Sequence, residues 1–209
     1  YPGSIVVTDI KGENYGITAR YRHSLGKIYM LNPGDIAHSA RFNPLDMIRV
    51  GTDQESDDAH ALADLMVIRD GADAHWSTKS ISLLSALILH AIYAAEPTQR
   101  TLAYVRRLSL AQAGSMREHI EHIARTSPSM QARDIASAFL RSMGDGKRTT
   151  PEFLSVLSDL DKATEPWGAG TPAGQLSAYS TFRLEDLNNP ETMTVYLCVD
   201  EEKLMTYRR

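Results

Sequence analysis

The chain is 209 residues long, 43% hydrophobic and 23% charged, ordinary values for one globular domain or one and a half with a sizeable core. Its formal net charge of −4 argues against a dominant nucleic-acid-binding surface while leaving room for a local patch. The one cysteine, Cys198, excludes an internal disulfide and suits a reducing compartment.

In chain order, the first elements read strand, helix, strand. Ile5–Thr8 is a short apolar run ending in Asp9, Asn14–Leu25 is an amphipathic helix stopped by Gly26, and Lys27–Leu31 is a second strand. Together they predict a compact βαβ unit with a right-handed crossover. Asn32-Pro33-Gly34 is a turn, and Asn43-Pro44-Leu45-Asp46 is a bend whose proline favours a short helix. Helices are then predicted near 56–70, 74–95, 98–108, 111–125, 128–143 and 150–163, separated by Gly, Pro and Ser breaks. Ile81, Leu84, Ile88 and Ile92 form one stripe at helical spacing, widened by Leu83, Leu87 and Ala91, so this helix should be the centre of a bundle, with Trp76 packed at its start. The apolar run Ile81 to Ala95 is broken by Ser82, Ser85 and His90 and reads as too short to span a bilayer.

A Gly/Pro/Ala/Thr-rich linker, Pro166 to Gly174, precedes Phe182–Leu187, a buried strand at Thr192–Val199 and a helix at Glu201–Tyr207. The fold class is therefore α/β with a large all-helical insertion: residues 1–54 as the amino-terminal βαβ part, 55–165 as the helical domain, and 166–209 as linker and return strand. Ile5–Thr8 and Met193–Val199 should share one parallel sheet. No signal peptide is visible and the chain is expected to be soluble; its start at Tyr1, almost on a strand, reads as an internal piece of a larger protein.

Several motifs carry candidate chemistry. Asp9, Lys11, Gly12 and Glu13 lie where a parallel sheet places ligands, with Asp9 able to hold a metal-bound water, Lys11 to face a phosphate and Gly12 to permit a tight turn. The plainer reading has Asp9 capping the loop, Glu13 complementing the helix dipole and Lys11 solvated. Asp200 and Glu201 end an apolar strand, as in NTPases that hold magnesium, but also look like a helix start. Around Lys147 a glycine-containing turn lacks the Gly-x4-Gly-Lys-Ser/Thr pattern, since Arg141 holds the first glycine position and Arg148 follows the lysine. His119 and His122 have i, i+3 spacing with no matched third ligand. Arg100, Arg106 and Arg107 cluster on one predicted helix, while Glu118, Glu121 and Asp134 lie on others, a mixed charge that favours docking of a protein over tight non-specific DNA binding.

Taken in order, Ile5–Glu13, Thr18–Arg22, Ile28–Pro33, Asn43–Asp46, Asp57-Asp58-Ala59, His75-Trp76, Leu83–His90, Phe182–Leu187 and Thr194–Leu197 resemble the segment after the phosphate loop in type IV secretion coupling proteins of the TraG kind. The resemblance implies a partial RecA-like sheet carrying an all-helical domain. It implies a bacterial inner-membrane ATPase, a homo-hexamer that uses ATP and magnesium and delivers DNA–relaxase complexes or effector proteins to other type IV secretion components. In that scheme the phosphate loop lies before Tyr1, the acidic magnesium motif beyond Arg209, and the transmembrane helices outside this chain. The helical domain is then a substrate-recognition module on the cytoplasmic face, and the chain by itself is a monomer holding no nucleotide tightly. The other reading is a self-contained nucleotide hydrolase using Asp9 and Asp200/Glu201.

Overall fold

Three strands and eight α-helices are present in the computed structural model, which describes residues 1–69, 74–110, 113–143 and 150–203, without the side chains of 74–76, 113, 114 and 203. Strands β1 (Ile5–Ile10), β2 (Gly26–Leu31) and β3 (Thr192–Val199) form one sheet in the order β1-β3-β2. Both pairings are parallel, with Val7 opposite Tyr196 and Asp9 opposite Cys198 on one side, and Ile28 opposite Thr194 and Leu31 opposite Leu197 on the other. The return strand thus shares one parallel sheet with Ile5–Thr8, as the sequence predicts, and pairs with it directly. It does so by entering between β1 and β2, which are not hydrogen-bonded to each other, so the compact βαβ unit expected from the sequence is opened. The reason is burial. Met193, Thr194, Val195, Tyr196 and Cys198 are buried, so β3 is apolar on both faces and needs the central position, whereas β1 leaves Val6 and Ile10 exposed.

Alternation assigns the faces. Thr194, Tyr196 and Cys198 lie with Val7 and Asp9 beneath helix α1 (Glu13–Leu25), where Tyr15 meets the Tyr196 ring edge-on at 5.2 Å and Thr18 Oγ1 shares a 2.7 Å hydrogen bond with the Tyr196 hydroxyl. On the opposite face Phe182, Met193 and Val195 make a small core with Tyr29, Phe42 and Leu187, and the Phe182 ring stacks on both Tyr29 and Phe42. Helix α1 is not the amphipathic helix expected. Ile17 is 80% exposed and the only buried residue is Arg22. The polar anchor does what an apolar stripe would otherwise do: Arg22 donates from Nε to Thr194 Oγ1 at 2.8 Å, and from its two terminal nitrogens to the carbonyls of Tyr1 and Gly3 at 2.7 and 2.6 Å.

The helical body is built on α3 (Ala74–Ala94), with α2 (Glu55–Met66), α4 (Leu102–Ser109), α6 (Met130–Ser142) and α7 (Pro151–Thr164) against it and α5 (Ala113–Thr126) against α6. Ile81, Leu83, Leu84, Leu87, Ile88, Leu89 and Ala91 are all at most 1% exposed, so α3 is buried nearly all round. By length and composition the segment Ser77–Ala94 could cross a membrane, contrary to the shorter run read from the sequence, but 72% of it is buried within the protein, the pattern of a core helix. The turn at Pro44–Met47 is 3-10, and its Leu45 joins the helical core together with Ile48. Thr101, Ser129 and Thr150 accept from the backbone three residues on, fixing the starts of α4, α6 and α7.

The Gly/Pro-rich stretch taken as a linker is structured, as a 3-10 turn at Glu165–Trp167 and a short helix α8 (Pro172–Leu176) capped by Thr171. After β3 the chain makes a 3-10 turn at Glu201–Lys203; the rest of the helix predicted to Tyr207 lies outside the described residues, as do the Trp76 side chain and the turn around Lys147. Lysine cannot reproduce the fork by which Arg22 reaches three acceptors. Arg22→Lys should therefore lower stability by about 2 kcal/mol, read as a shift in the urea midpoint.

Candidate functional site

Because all three strands are parallel, their carboxyl ends share one edge, the place where α/β sheets meet ligands. The β1 end supplies Asp9, Lys11, Gly12 and Glu13; the β3 end supplies Asp200 and Glu201; the β2 exit supplies the Asn32–Gly34 turn. Lys11 and Gly12 follow one another in the left-handed region, at φ 82° and 76°, which a lysine seldom adopts and which turns the chain from β1 into α1.

Asp9 does not project from this edge. It is fully buried, and its two carboxylate oxygens accept from Asn14 N at 3.1 Å and Tyr15 N at 2.8 Å. The residue at the N-cap position is Gly12, which has no side chain, so Asp9 satisfies the helix amides from beneath. The Cys198 thiol lies 3.8 Å from Asp9 Oδ2. Burial, and then the neighbouring Asp9 carboxylate, push that thiol up to about 11, so it is no nucleophile at neutral pH.

Lys11 Nζ is 3.2 Å from Glu201 Oε2 in an exposed ion pair that ties the β1 exit to the β3 exit. Glu13 stands exposed in the first turn of α1, where its charge complements the helix dipole. Asp200 Oδ2 would be 3.1 Å from a Cβ placed on Gly34, so the β3 and β2 exits are also in contact. The structure thus brings Lys11 and Glu201 together at the surface, holds Asp200 against the β2 exit, and separates Asp9 from all of them. The Asn14 and Tyr15 amides at the α1 N-terminus are bonded to Asp9 and are not open to a phosphate. Among the described residues no cluster of three or more His, Cys, Asp or Glu side chains could hold a metal ion.

Three histidines, His90, His119 and His122, group within the helical body. His90 on α3, which the sequence reading treated only as an interruption of an apolar run, is buried and shares a 2.9 Å hydrogen bond with Ser127 Oγ. Burial is the first cause, and the nearby His119 and His122 the next, of a His90 value lowered to about 4. His119 is also lowered, by burial and then by His122, and its buried Nε2 has no hydrogen-bond partner among the described residues, while His122 bonds Thr126 on its own helix. Desolvation thus favours the neutral forms of His90 and His119, as expected of histidines packed in a helical body.

Of the arginines expected to cluster on one helix, Arg100 precedes α4, and Arg106 is 16% exposed and bound to Asp161 Oδ1 at 2.6 Å and Thr164 Oγ1 at 3.0 Å. Only Arg107 is exposed on α4.

The family model described as Type IV secretory system Conjugative DNA transfer matches residues 1–209. The conjugal transfer protein TraG of Escherichia coli is 44% identical over 108 residues, 49% of this chain and 17% of that protein. Protein VirD4 of Rhizobium rhizogenes is 28% identical over 212 residues, 98% of this chain and 29% of that protein. Among solved structures, the bacterial conjugative coupling protein TrwBdeltaN70, in its trigonal form in complex with sulphate, superposes with a TM-score of 0.60 at 14% identity over 99% of this chain and 42% of that one. This last likeness is one of fold. The chain therefore spans less than a third of the length of these two relatives.

Two outcomes follow from this geometry. Asp9→Ala should destabilise the chain by about 2 kcal/mol, with Asp9→Asn milder because its amide oxygen still accepts one of the two N–H groups; urea unfolding reads both. For His90 the folded value lies below the unfolded 6.5, so the unfolded state takes up the proton first, and stability falls as pH drops from 6.5 toward about 4. The full loss is about 3 kcal/mol, and His90→Gln should flatten the slope of stability against pH in that window.

Proposed function

The chain belongs to the type IV secretory system conjugative DNA transfer family, and from that premise we propose that it forms part of a membrane-anchored, ATP-driven coupling protein at the cytoplasmic face of the bacterial inner membrane. Within that protein the helical body, residues 55–164, recruits cargo, a relaxase–DNA complex or an effector protein, for delivery to the secretion channel. The observation that carries this reading is a helical body inserted between two neighbouring strands of one sheet, β2 and β3, in a chain matched by the family over its whole length. A body joined to the sheet at both ends can present a surface to cargo while its position follows the sheet.

The sheet supports the longer-protein part of the proposal. Val6 and Ile10 are about half exposed on β1, an edge strand of a parallel sheet, and such sheets are normally covered on both faces. ATP and magnesium enter as cofactors of the assembled protein, a homo-hexamer in this reading, and this chain contributes the Lys11–Glu13 turn, held by the buried Asp9, as one border of the nucleotide site. A self-contained hydrolase gains no support, since Asp9 is committed to the helix and Lys11 to Glu201.

The surface of the helical body carries both signs, with exposed Arg100 and Arg107 set against exposed Glu118 and half-buried Glu121, a mixture suited to a protein partner. The test is a titration of the 209-residue chain with a purified plasmid relaxase, duplex DNA and single-stranded DNA at physiological salt. The expected result is saturable relaxase binding at micromolar concentration with weaker DNA binding. Submicromolar, salt-steep DNA binding with no affinity for the relaxase would overturn the recruitment reading.

A further inference from the structure

We propose that the open cleft between α4 and α8 is a docking site for an acidic segment of a partner protein, gripped by Arg41 and Arg107. The cleft is about 360 Å³ and is lined by Arg41, Thr98, Thr101, Tyr104, Arg107 and Gln175 among others, with no Asp or Glu among its lining residues. Its two cations come from different parts of the chain. On one side the Arg107 guanidinium stacks over the Tyr104 ring one helical turn away, 4.9 Å from the centroid; on the other, Arg41, from the segment after β2, lies 5.2 Å over the Tyr179 ring just beyond α8.

Among the described residues neither Arg41 nor Arg107 pairs with a carboxylate, whereas Arg49, Arg69, Arg106, Arg117 and Arg183 each do. Stacking on tyrosine holds a guanidinium in place without using its N–H groups. Arg41 spends one of its five donors on the Gln175 carbonyl, which fixes its orientation across the cleft. Two preorganised forks, with threonine hydroxyls and a glutamine amide beside them, suit carboxylates. Arginine and tyrosine are also the residues on which protein interfaces concentrate their binding energy. A nucleic-acid strand fits less well. It needs a run of cations tracking successive phosphates, and here two guanidiniums serve one cleft on a chain of net charge −4.

This inference deepens the recruitment reading and rests on it only in taking a protein as the partner. The test measures fluorescence anisotropy of a blocked Glu/Asp-rich peptide, its Gln/Asn counterpart and an oligo-dT strand against the 209-residue chain. The acidic peptide alone should bind, and added salt should weaken it. Arg41→Gln and Arg107→Gln should each reduce its affinity about tenfold, and Arg107→Lys nearly as much, since lysine has no planar fork. Arg20→Gln, at an exposed site on α1, should leave it unchanged. An unaltered melting temperature for Arg107→Gln shows that folding is not the cause. Equal binding of both peptides, indifference to the two arginines, or displacement of the peptide by a lower concentration of oligo-dT than of unlabelled acidic peptide would overturn the assignment. The two readings fail separately: acidic-peptide binding that depends on these arginines supports the cleft even where the relaxase does not bind, and relaxase binding untouched by their replacement, with no acidic-peptide binding, removes the cleft alone.

Discussion

Everything else in this chain depends on main-chain hydrogen bonds that place β3 between β1 and β2. The register closes a loop that runs from Leu31 through the whole helical body to Thr192 and returns it to the strand it left. Contacts on both faces of the sheet then converge on β3. Arg22 reaches Thr194 from α1, Tyr15 meets Tyr196 edge-on, and Phe182 closes over Met193 and Val195. Each is a contact with a residue that enters the sheet only after the helical body has been made, so the sheet should form late and cooperatively.

The same closure decides what the carboxyl edge can do. A buried carboxylate needs hydrogen-bond partners, and Asp9 finds two at the start of α1 and a thiol above it. That satisfaction fixes the direction of α1 and orients the Lys11–Gly12 turn, and it removes Asp9 from the chemistry of the edge. What remains outward is Lys11, paired with Glu201, together with Glu13 and the acids of the β3 exit. In the proposed function the edge borders a site completed elsewhere, and the helical body is the part that offers a surface to a partner.

Much of this was legible in the residues. The number and approximate places of the helices followed from the Gly, Pro and Ser breaks, whereas the caps Thr101, Ser129 and Thr150, which set the starts of α4, α6 and α7 slightly later than expected, were not read. The apolar circumference of α3 announced a buried helix, and the unbroken Val195–Val199 run a strand buried on both faces. That β1 and β3 share a sheet was expected, but the central place of β3 was not legible, because parallel pairing leaves no local mark of whether the return strand enters between β1 and β2 or beside them. Asp9 carried two readings that composition alone could not separate. The signal that could have separated them was Gly12, a helix start with no capping side chain, with an acid three residues before it. The stretch 166–174 was misread because glycine and proline were weighed as linker residues, when Thr171-Pro172 is a cap followed by a first-turn proline. Arg106 looked free by spacing on α4; only the fold brings Asp161 and Thr164 to it.

The central claim is the strand order, and nuclear Overhauser contacts in the uniformly labelled 209-residue protein test it most directly. The account predicts cross-strand contacts from Thr194–Cys198 to both Ile5–Asp9 and Ile28–Leu31, with none joining Ile5–Ile10 to Gly26–Leu31. Direct contacts between those last two segments, with Thr194–Cys198 paired to neither or to only one, would contradict it.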